Sequence, residues 1–413
     1  MAAQSTTEGG AGVLPRPARA RGWLPLPRAI RGAGSLSNTL ADVLACFIAI
    51  KIGFYLLALF ATWMLPEYAG GAYGLWHTGA DRMIDISWRW DGQWYMSIAR
   101  EGYRLGDGYA NVAFFPLFPL LVRLLGLALG EAQLPLAGVL VVNFAFLGAL
   151  FYLYMLAAMD GGPGLARRAI WYVAIMPTAF FFHVAYAESL FLLAAAGVIY
   201  HARRGQWWLA GLWGLLGAAT RAQGLLLWLP LAWELARHWR REKTLPRRHL
   251  PALLLPPLGI GVFMAYLLLR FGDPLAFLHV QSEWGRSFGF PPATLWRGLE
   301  AVFAGYQSWK YPLQTINTAM VSIYLAVALA SVRRWPASYT LYVFASLTMA
   351  LLLPVEQSPT ESAARFMAVL FPVAFSVAAW SEAYPPLGRL VSAASLPLFA
   401  LLASLFVTWH WVV

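Results

Sequence analysis

From about Leu40 to Leu65 the chain is almost continuously apolar, and ten further apolar runs follow along its 413 residues. No other feature restricts the fold as much. A helix rises 1.5 Å per residue and the hydrocarbon core of a bilayer is about 30 Å thick, so a run of about 20 apolar residues can cross it. The later runs fall near Pro135–Met159, Ala169–His183, Ala185–His201, Trp207–Thr220, Gln223–Leu235, Leu250–Leu269, Leu313–Ser331, Ala337–Pro354, Arg365–Trp380 and Leu390–Val412. Several are shorter than a full span, so the expectation is an all-α polytopic membrane protein with about 11 transmembrane helices. Composition agrees: 60% of residues are hydrophobic and 12% charged, against roughly 45–50% and about 25% in a soluble domain. A water-soluble enzyme, a fibrous repeat and a disordered chain are excluded as descriptions of the whole. The 20 Trp, 18 Tyr and 25 Phe fit belts at the membrane interface. Cys46 is the one cysteine, which leaves no disulfide and no thiolate cluster.

A formal charge of +11 raises the question of a nucleic-acid partner. The arginines answer it by their placement. Arg16, Arg19, Arg21, Arg28 and Arg31 lie in a Gly/Ala/Pro-rich leader, and pairs recur at Arg167/Arg168, Arg203/Arg204, Arg247/Arg248 and Arg333/Arg334. Basic residues that punctuate apolar runs orient helices with their positive connections inside and attract anionic headgroups. No basic stripe is interleaved with polar recognition residues, so no nucleic acid is expected. Residues 1–34 read as a disordered basic cytoplasmic tail, and residues 35–413 as one transmembrane domain. The tail is no cleavable signal, because the first apolar run begins too far into the chain. Residues 66–133 read as a large first loop on the outer side, with helices lying in the interface. With the N-terminus inside, Asp81, Asp85, Asp91, Asp107, His183, Glu188, Arg221, Asp273, Glu283, Glu361 and Arg365 collect on the outer face. Ionisable groups near hydrocarbon are costly and mark a candidate site.

The densest stretch is Trp88-Arg-Trp-Asp-Gly-Gln-Trp-Tyr95, which continues to Tyr103 and ends at Ala113-Phe-Phe-Pro-Leu-Phe-Pro119. Trp90, Trp94, Tyr95 and Ile98 recur at helical spacing and make an apolar stripe. Asp91 stands where that helix would begin, a position at which free N–H groups and the helix dipole stabilise a carboxylate. Two readings stand for it: a helix cap, or a general base that takes a proton from a hydroxyl nucleophile. Arg221 interrupts the apolar stretch from Trp207 to Leu235 at its turn. It is either the ligand of an anion, which Arg can hold bidentately, or the partner of an outer-face carboxylate. Arg365 is a second anion ligand or a helix-end anchor, and Glu188 and His183 flank a third outer turn. Asp85 is read as a solvated loop residue and Asp273, before Pro274, as the start of a turn.

These residues resemble the PIG-V mannosyltransferase family, whose first-loop pattern W-D-x-x-W/Y-x-x-I-A-x-x-G-Y followed by F-F-P-x-x-P stands here as Trp90-Asp91-Gly-Gln-Trp-Tyr95, Ile98-Ala99, Gly102-Tyr103 and Phe114-Phe-Pro-Leu-Phe-Pro119. Further matches run in order through Pro177-Thr-Ala-Phe-Phe181, Tyr186-Ala-Glu-Ser-Leu-Phe191, Ala219-Thr-Arg-Ala-Gln-Gly224, Gly272-Asp-Pro-Leu-Ala-Phe277 and Arg365 ahead of Phe371-Pro372. The resemblance implies a GT-C-like fold and an inverting transfer of mannose from a polyprenyl-phosphate sugar. The family's catalytic aspartate maps onto Asp91. Arg221, Arg365, Glu188, His183, Trp90, Gln93 and Tyr95 then form the expected substrate-binding set. No metal and no cofactor is expected, since the sequence has no D-x-D motif and no P-loop lysine. The expected partners are the lipid-linked donor, membrane lipids, and an acceptor that is a glycan, a glycolipid or a protein. The high Arg and Ala content with a basic leader reads as a bacterial plasma-membrane protein. Two other classes predict different patterns. A carrier would show repeated halves and charge at the bilayer midplane, and a scaffold would dispense with Asp91 and Arg221.

Overall fold

The computed structural model describes residues 36–68, 75–106, 110–244, 247–304 and 311–412. The basic leader and Asp107 lie outside them. Among the described residues the chain is helical, and its only strand-like pairings are isolated bridges that join Val355 to Arg286 and to Ser358. The helices are α1 (Leu36–Met64), α2 (Arg82–Asp85), α3 (Gly92–Glu101), α4 (Leu117–Leu129), α5 (Leu134–Ile175), α6 (Glu188–Arg203), α7 (Trp207–Thr220) and α8 (Trp228–Glu242). They continue as α9 (Leu255–Phe271), α10 (Ala276–His279), α11 (Pro291–Phe303), α12 (Tyr311–Ser331), α13 (Ala337–Ala350), α14 (Ala363–Met367), α15 (Phe371–Ala383) and α16 (Pro385–Val407).

Helix α1 explains why so apolar a chain folds this way. Its buried face is Thr39, Val43, Ile50, Lys51, Phe54, Ala58 and Ala61, while Leu40, Leu44, Ile48, Ile52, Leu56, Phe60 and Trp63 point outward and exposed. An apolar outer surface of this extent needs an apolar solvent. Among the described residues five segments are long and apolar enough to cross a membrane: Leu36–Met64, Glu131–Ile175, Arg247–Phe271, Pro312–Ser331 and Pro385–Val407. Other apolar runs fold as shorter helices packed among them, such as α6 with 16 residues and α7 with 14.

Helix α5 is a hairpin rather than a rod. Asp160-Gly161-Gly162-Pro163 breaks its 42 residues, with Gly162 at φ 79°, a left-handed conformation that glycine adopts without a Cβ clash. The returning half ends at Ile175, so the apolar run expected to continue to His183 turns instead through a 3₁₀ segment at Ala179–Phe182. Helix α6 then runs back, and α5, α6 and α7 pack side by side. This alternation puts two ends on the bundle. Glu188, Asp91 and Arg365 lie at one end, joined by direct ion pairs. Arg203, at the last turn of α6, meets Asp160 of the α5 hairpin at the other.

The first loop also differs from expectation. The stripe of α3 faces protein, with Tyr95 3% and Ile98 7% exposed, and Tyr95 packs edge-on against Phe114 and Phe118. Asp85 is not solvated. It is 6% exposed and accepts from His77 Nδ1 at 2.8 Å, Thr78 N at 2.6 Å and Arg89 NH1 at 2.8 Å. A loop carboxylate is buried here because four donors replace its water: Thr78 Oγ1 is the fourth, at 2.8 Å. Asp273 does start a turn, accepting from Leu275 N at 2.9 Å.

Candidate active site

Local anchors fix Asp91 before any charge acts on it. Trp88 Nε1 donates to the carbonyl of Pro135 at 3.0 Å, which ties the loop to the start of α5. Arg89 is buried, donating from Nε to the Val407 carbonyl of α16 at 3.0 Å and lying over the Trp409 ring. Between these anchors and α3, Trp90 is forced to φ 52°, a region that costs a non-glycine residue free energy and recurs at functional sites. Asp91 follows in the N-cap position of α3, yet its side chain makes no capping bond. Its backbone N–H donates to Tyr186 Oη at 2.9 Å, and that hydroxyl donates onward to the Arg89 carbonyl at 3.1 Å. The carboxylate is left to turn elsewhere, and Oδ2 pairs with Arg365 NH1.

Arg365 joins two acids, because its Nε pairs with Glu188 Oε1. Arg221 NH1 reaches the same oxygen at 2.6 Å. The result is a chain of four charges, Asp91–Arg365–Glu188–Arg221. Glu188 is fully buried, the two arginines are 12–14% exposed and Asp91 is 21% exposed, so the chain opens toward solvent at its aspartate end. Each member comes from a different element. Glu188 is the first residue of α6, and Arg221 sits in extended conformation between α7 and the 3₁₀ segment Ala222–Leu227. That segment folds tightly onto α7: a Cβ on Gly224 would lie 2.1 Å from the Gly217 carbonyl, which is why a glycine ends the Thr-Arg-Ala-Gln-Gly motif. Arg365 rides on α14, whose start is held by Asn317 Oδ1 accepting from Ala364 N at 2.8 Å and by Ser362 at φ 64°. Aromatic faces cover the guanidinium groups, Tyr186 at 4.5 Å from Arg365 and Phe366 at 4.9 Å from Arg221. Such stacking favours Arg over Lys at both positions.

Sequence reasoning missed Arg286. It lies in the loop before α11 and donates to the Leu353 carbonyl and to Ser362 Oγ, both at 3.2 Å. Those acceptors are neutral, while Asp91 and Glu361 attract it electrostatically. Burial pushes its guanidinium below the usual arginine range. The centre also carries buried polar atoms without hydrogen-bond partners among the described residues: Glu188 Oε2, Trp90 Nε1, Gln93 Nε2, and both Nε2 and Oε1 of Gln223. Unmet donors and acceptors beside an ionic cluster are what a polar ligand would satisfy.

The other expected residues take separate places. Trp90 rests on Trp409 and Trp411. Tyr95 is buried beside Tyr186 with centroids 6.2 Å apart, and burial raises its phenol pKa. His183 is 1% exposed, stacked on Phe54 at 5.0 Å and met edge-on by Phe146, with neither ring nitrogen hydrogen-bonded. It joins none of the four charges by a hydrogen bond or ion pair. Among the described residues no three His, Cys, Asp or Glu side chains gather as a metal set.

Helical throughout its described residues, with long lipid-facing helices and a four-charge centre at one end of its bundle, the chain is a polytopic membrane protein. The model of the mannosyltransferase (PIG-V) family matches residues 71–235. Similar curated relatives are GPI alpha-1,6-mannosyltransferase 2 of Mus musculus, 33% identical over 152 residues, and of Rattus norvegicus, 32% identical over 152 residues. Each match covers 33% of this chain and 29% of the relative. Two solved structures are also similar. ArnT from Cupriavidus metallidurans bound to undecaprenyl phosphate has a TM-score of 0.48 at 12% identity, over 89% of this chain and 76% of that one. The Archaeoglobus fulgidus oligosaccharyltransferase in complex with Zn and sulfate has a TM-score of 0.43 at 12% identity, over 87% and 53%.

Proposed function

We propose that the protein is a membrane glycosyltransferase that moves a mannosyl residue from a polyprenyl-phosphate sugar to an acceptor hydroxyl, with inversion. The observation that carries this reading is the ion pair between Asp91, which does not cap its helix, and an arginine that also binds Glu188. The segment match to mannosyltransferases supports the sugar. Asp91 takes the proton of the acceptor O–H, the acceptor oxygen forms a bond to the anomeric carbon, and the bond from that carbon to the phosphate oxygen breaks. One displacement inverts the anomeric centre and leaves a phosphate monoester on the lipid.

Arg221, Arg365 and Arg286 hold the phosphate. Together with Asp91, Glu188 and the Glu361 that attracts Arg286 they sum to zero, so a phosphodiester donor brings a single negative charge to a neutral set. After transfer Asp91 carries the proton, the protein set gains one positive charge, and the leaving monoester gains one negative charge. The match therefore improves as the reaction proceeds, which is the preorganised electrostatic stabilisation that catalysis requires. Glu188 orients both arginines, and Gln93, Gln223 and Trp90 offer unmet polar atoms to the sugar. The step as written uses no cofactor. The acceptor is a hydroxyl of a glycan, glycolipid or protein. Arg167/Arg168 and Arg203/Arg204 lie at the other end of the bundle, and the tendency of basic connections to stay inside supports a cytoplasmic position for that end and an outer one for the site.

The test uses purified protein in nanodiscs with radiolabelled polyprenyl-phosphate mannose and a lipid extract of the host. Transfer by the wild type and about a thousandfold loss in Asp91→Asn are expected. Equal turnover by both proteins removes Asp91 from the chemistry.

A further inference from the structure

The end of the bundle away from the four charges holds an open groove of about 420 Å³ that the proposed transfer does not use. It lies between the returning half of α5, which supplies Arg168, Trp171 and Tyr172, and the start of α16, which supplies Arg389 and Ser392; Ser381 of α15 closes it. We infer that this groove binds the headgroup of an anionic phospholipid. The inference stands apart from the transferase reading and would survive its failure.

Three observations converge on it. The first is charge. Arg389 is exposed and, among the described residues, makes no ion pair or hydrogen bond. Arg168 pairs with Glu382 at 2.7 Å, but that carboxylate is 63% exposed, and an exposed pair of this kind is weak enough for a phosphate to replace. Arg168 Nε is fixed by the Ala378 carbonyl at 3.3 Å, so the guanidinium is oriented rather than free. The second is depth. The groove sits at the first turns of α16, which from Pro385 to Val407 is long and apolar enough to cross a bilayer, so its mouth meets the boundary between headgroups and water. The third is what lies below. Leu396, one turn beyond Ser392 on the same face of α16, is 40% exposed, an apolar path for acyl chains, and Trp171 stands at headgroup level, where Trp is enriched.

A soluble anion would meet the charges but leave the apolar path uncovered, and a zwitterionic lipid would bring its own cation against two arginines. Basic grooves between transmembrane helices are the usual seat of anionic headgroups. A lipid in this seat ties α5, α15 and α16 together at the end where α15 turns into α16.

Native mass spectrometry and thermal unfolding of the full chain in detergent test the inference, with phosphatidylglycerol, phosphatidylcholine and inorganic phosphate added in turn. Saturable binding of phosphatidylglycerol with a rise in Tm is expected. The variant Arg389→Gln, at an exposed position that carries no packing, should bind it about fivefold more weakly. Glu382→Gln, which releases Arg168, should bind it more tightly. Equal binding of phosphatidylcholine, an equal response to inorganic phosphate, or wild-type affinity in both variants would each overturn the site.

Discussion

Helix α6 begins at one buried ion centre and ends at another, and the two are built on opposite plans. At its last turn Arg203 grips Asp160 with NH2–Oδ1 at 2.6 Å and NH1–Oδ2 at 3.0 Å. Tyr339 Oη closes the set, donating to Asp160 at 2.7 Å and accepting from Arg203 at 2.8 Å. Acid, base and phenol satisfy one another, and neither Arg203 nor Asp160 has an unpaired buried atom among the described residues. At its first turn Glu188 is shared by two arginines, one of its oxygens is unmet, and left-handed Trp90 and Ser362 flank the cluster. A buried ion pair is by itself poor testimony for function. Closure against incompleteness is the better discriminator, because a structural pair is optimised in the empty protein and a binding site only with its ligand.

Substitutions at each centre break or sharpen that contrast. The largest effects are expected from the two aspartates, and they differ in kind. Asp160→Asn leaves Arg203 buried without its counter-charge and should cost about 3–5 kcal/mol of stability, read as thermal unfolding in detergent, while the fraction that remains folded keeps its specific activity. Asp91→Asn should do the reverse, with Tm near that of the wild type and transfer reduced about a thousandfold. If the two variants lose stability and activity together, the contrast has no functional content.

Arg286→Gln comes next. It removes a guanidinium that is bonded only to neutral oxygens, so the fold should hold while the KM for the donor rises about tenfold. A change in kcat alone would place Arg286 outside phosphate binding.

The smallest effect belongs to Asp85. Burial raises its pKa, but the hydrogen bonds from His77, Arg89 and Thr78 outweigh that and hold it below the usual aspartate value. A depressed folded-state pKa contributes stability above the unfolded value near pH 4, and the contribution is lost as pH falls through the folded value. Asp85→Asn should therefore be about 1–2 kcal/mol less stable than wild type at pH 7, with the gap narrowing below pH 4. A gap that does not change with pH would mean that packing rather than charge is lost.

The apolar runs, the first-loop motif and three of the four charges around Asp91 were legible because each breaks a strong local pattern. Arg221 stands out in a run of Leu, Trp and Ala, and Glu188 opens one. Arg286 lies among Gly, Ser and Phe, where one arginine offers no contrast. Its burial comes from the strand-like pairing with Val355 across the fold. Partnership was the part that local pattern does not encode. Asp91 and Arg365 are 274 residues apart, and periodicity tells which face of a helix is buried without telling what it meets. The α5 hairpin was legible as the gap between the runs Pro135–Met159 and Ala169–His183, where Gly161-Gly162-Pro163 breaks the helix, whereas the turn that ends its returning half at Ile175, short of His183, was not. Asp85 was misread because loop carboxylates are usually hydrated, and its four donors come together only when the loop folds.

The length of α6 carries a further meaning. Its 16 residues set Glu188 and Arg203 about 22 Å apart along the axis, less than the thickness of the hydrocarbon it is surrounded by. On the proposed reading the reactive end would then address one leaflet only, and a lipid-linked sugar made on the far side would first have to be turned across the membrane by another protein, whose rate would set an upper limit on transfer.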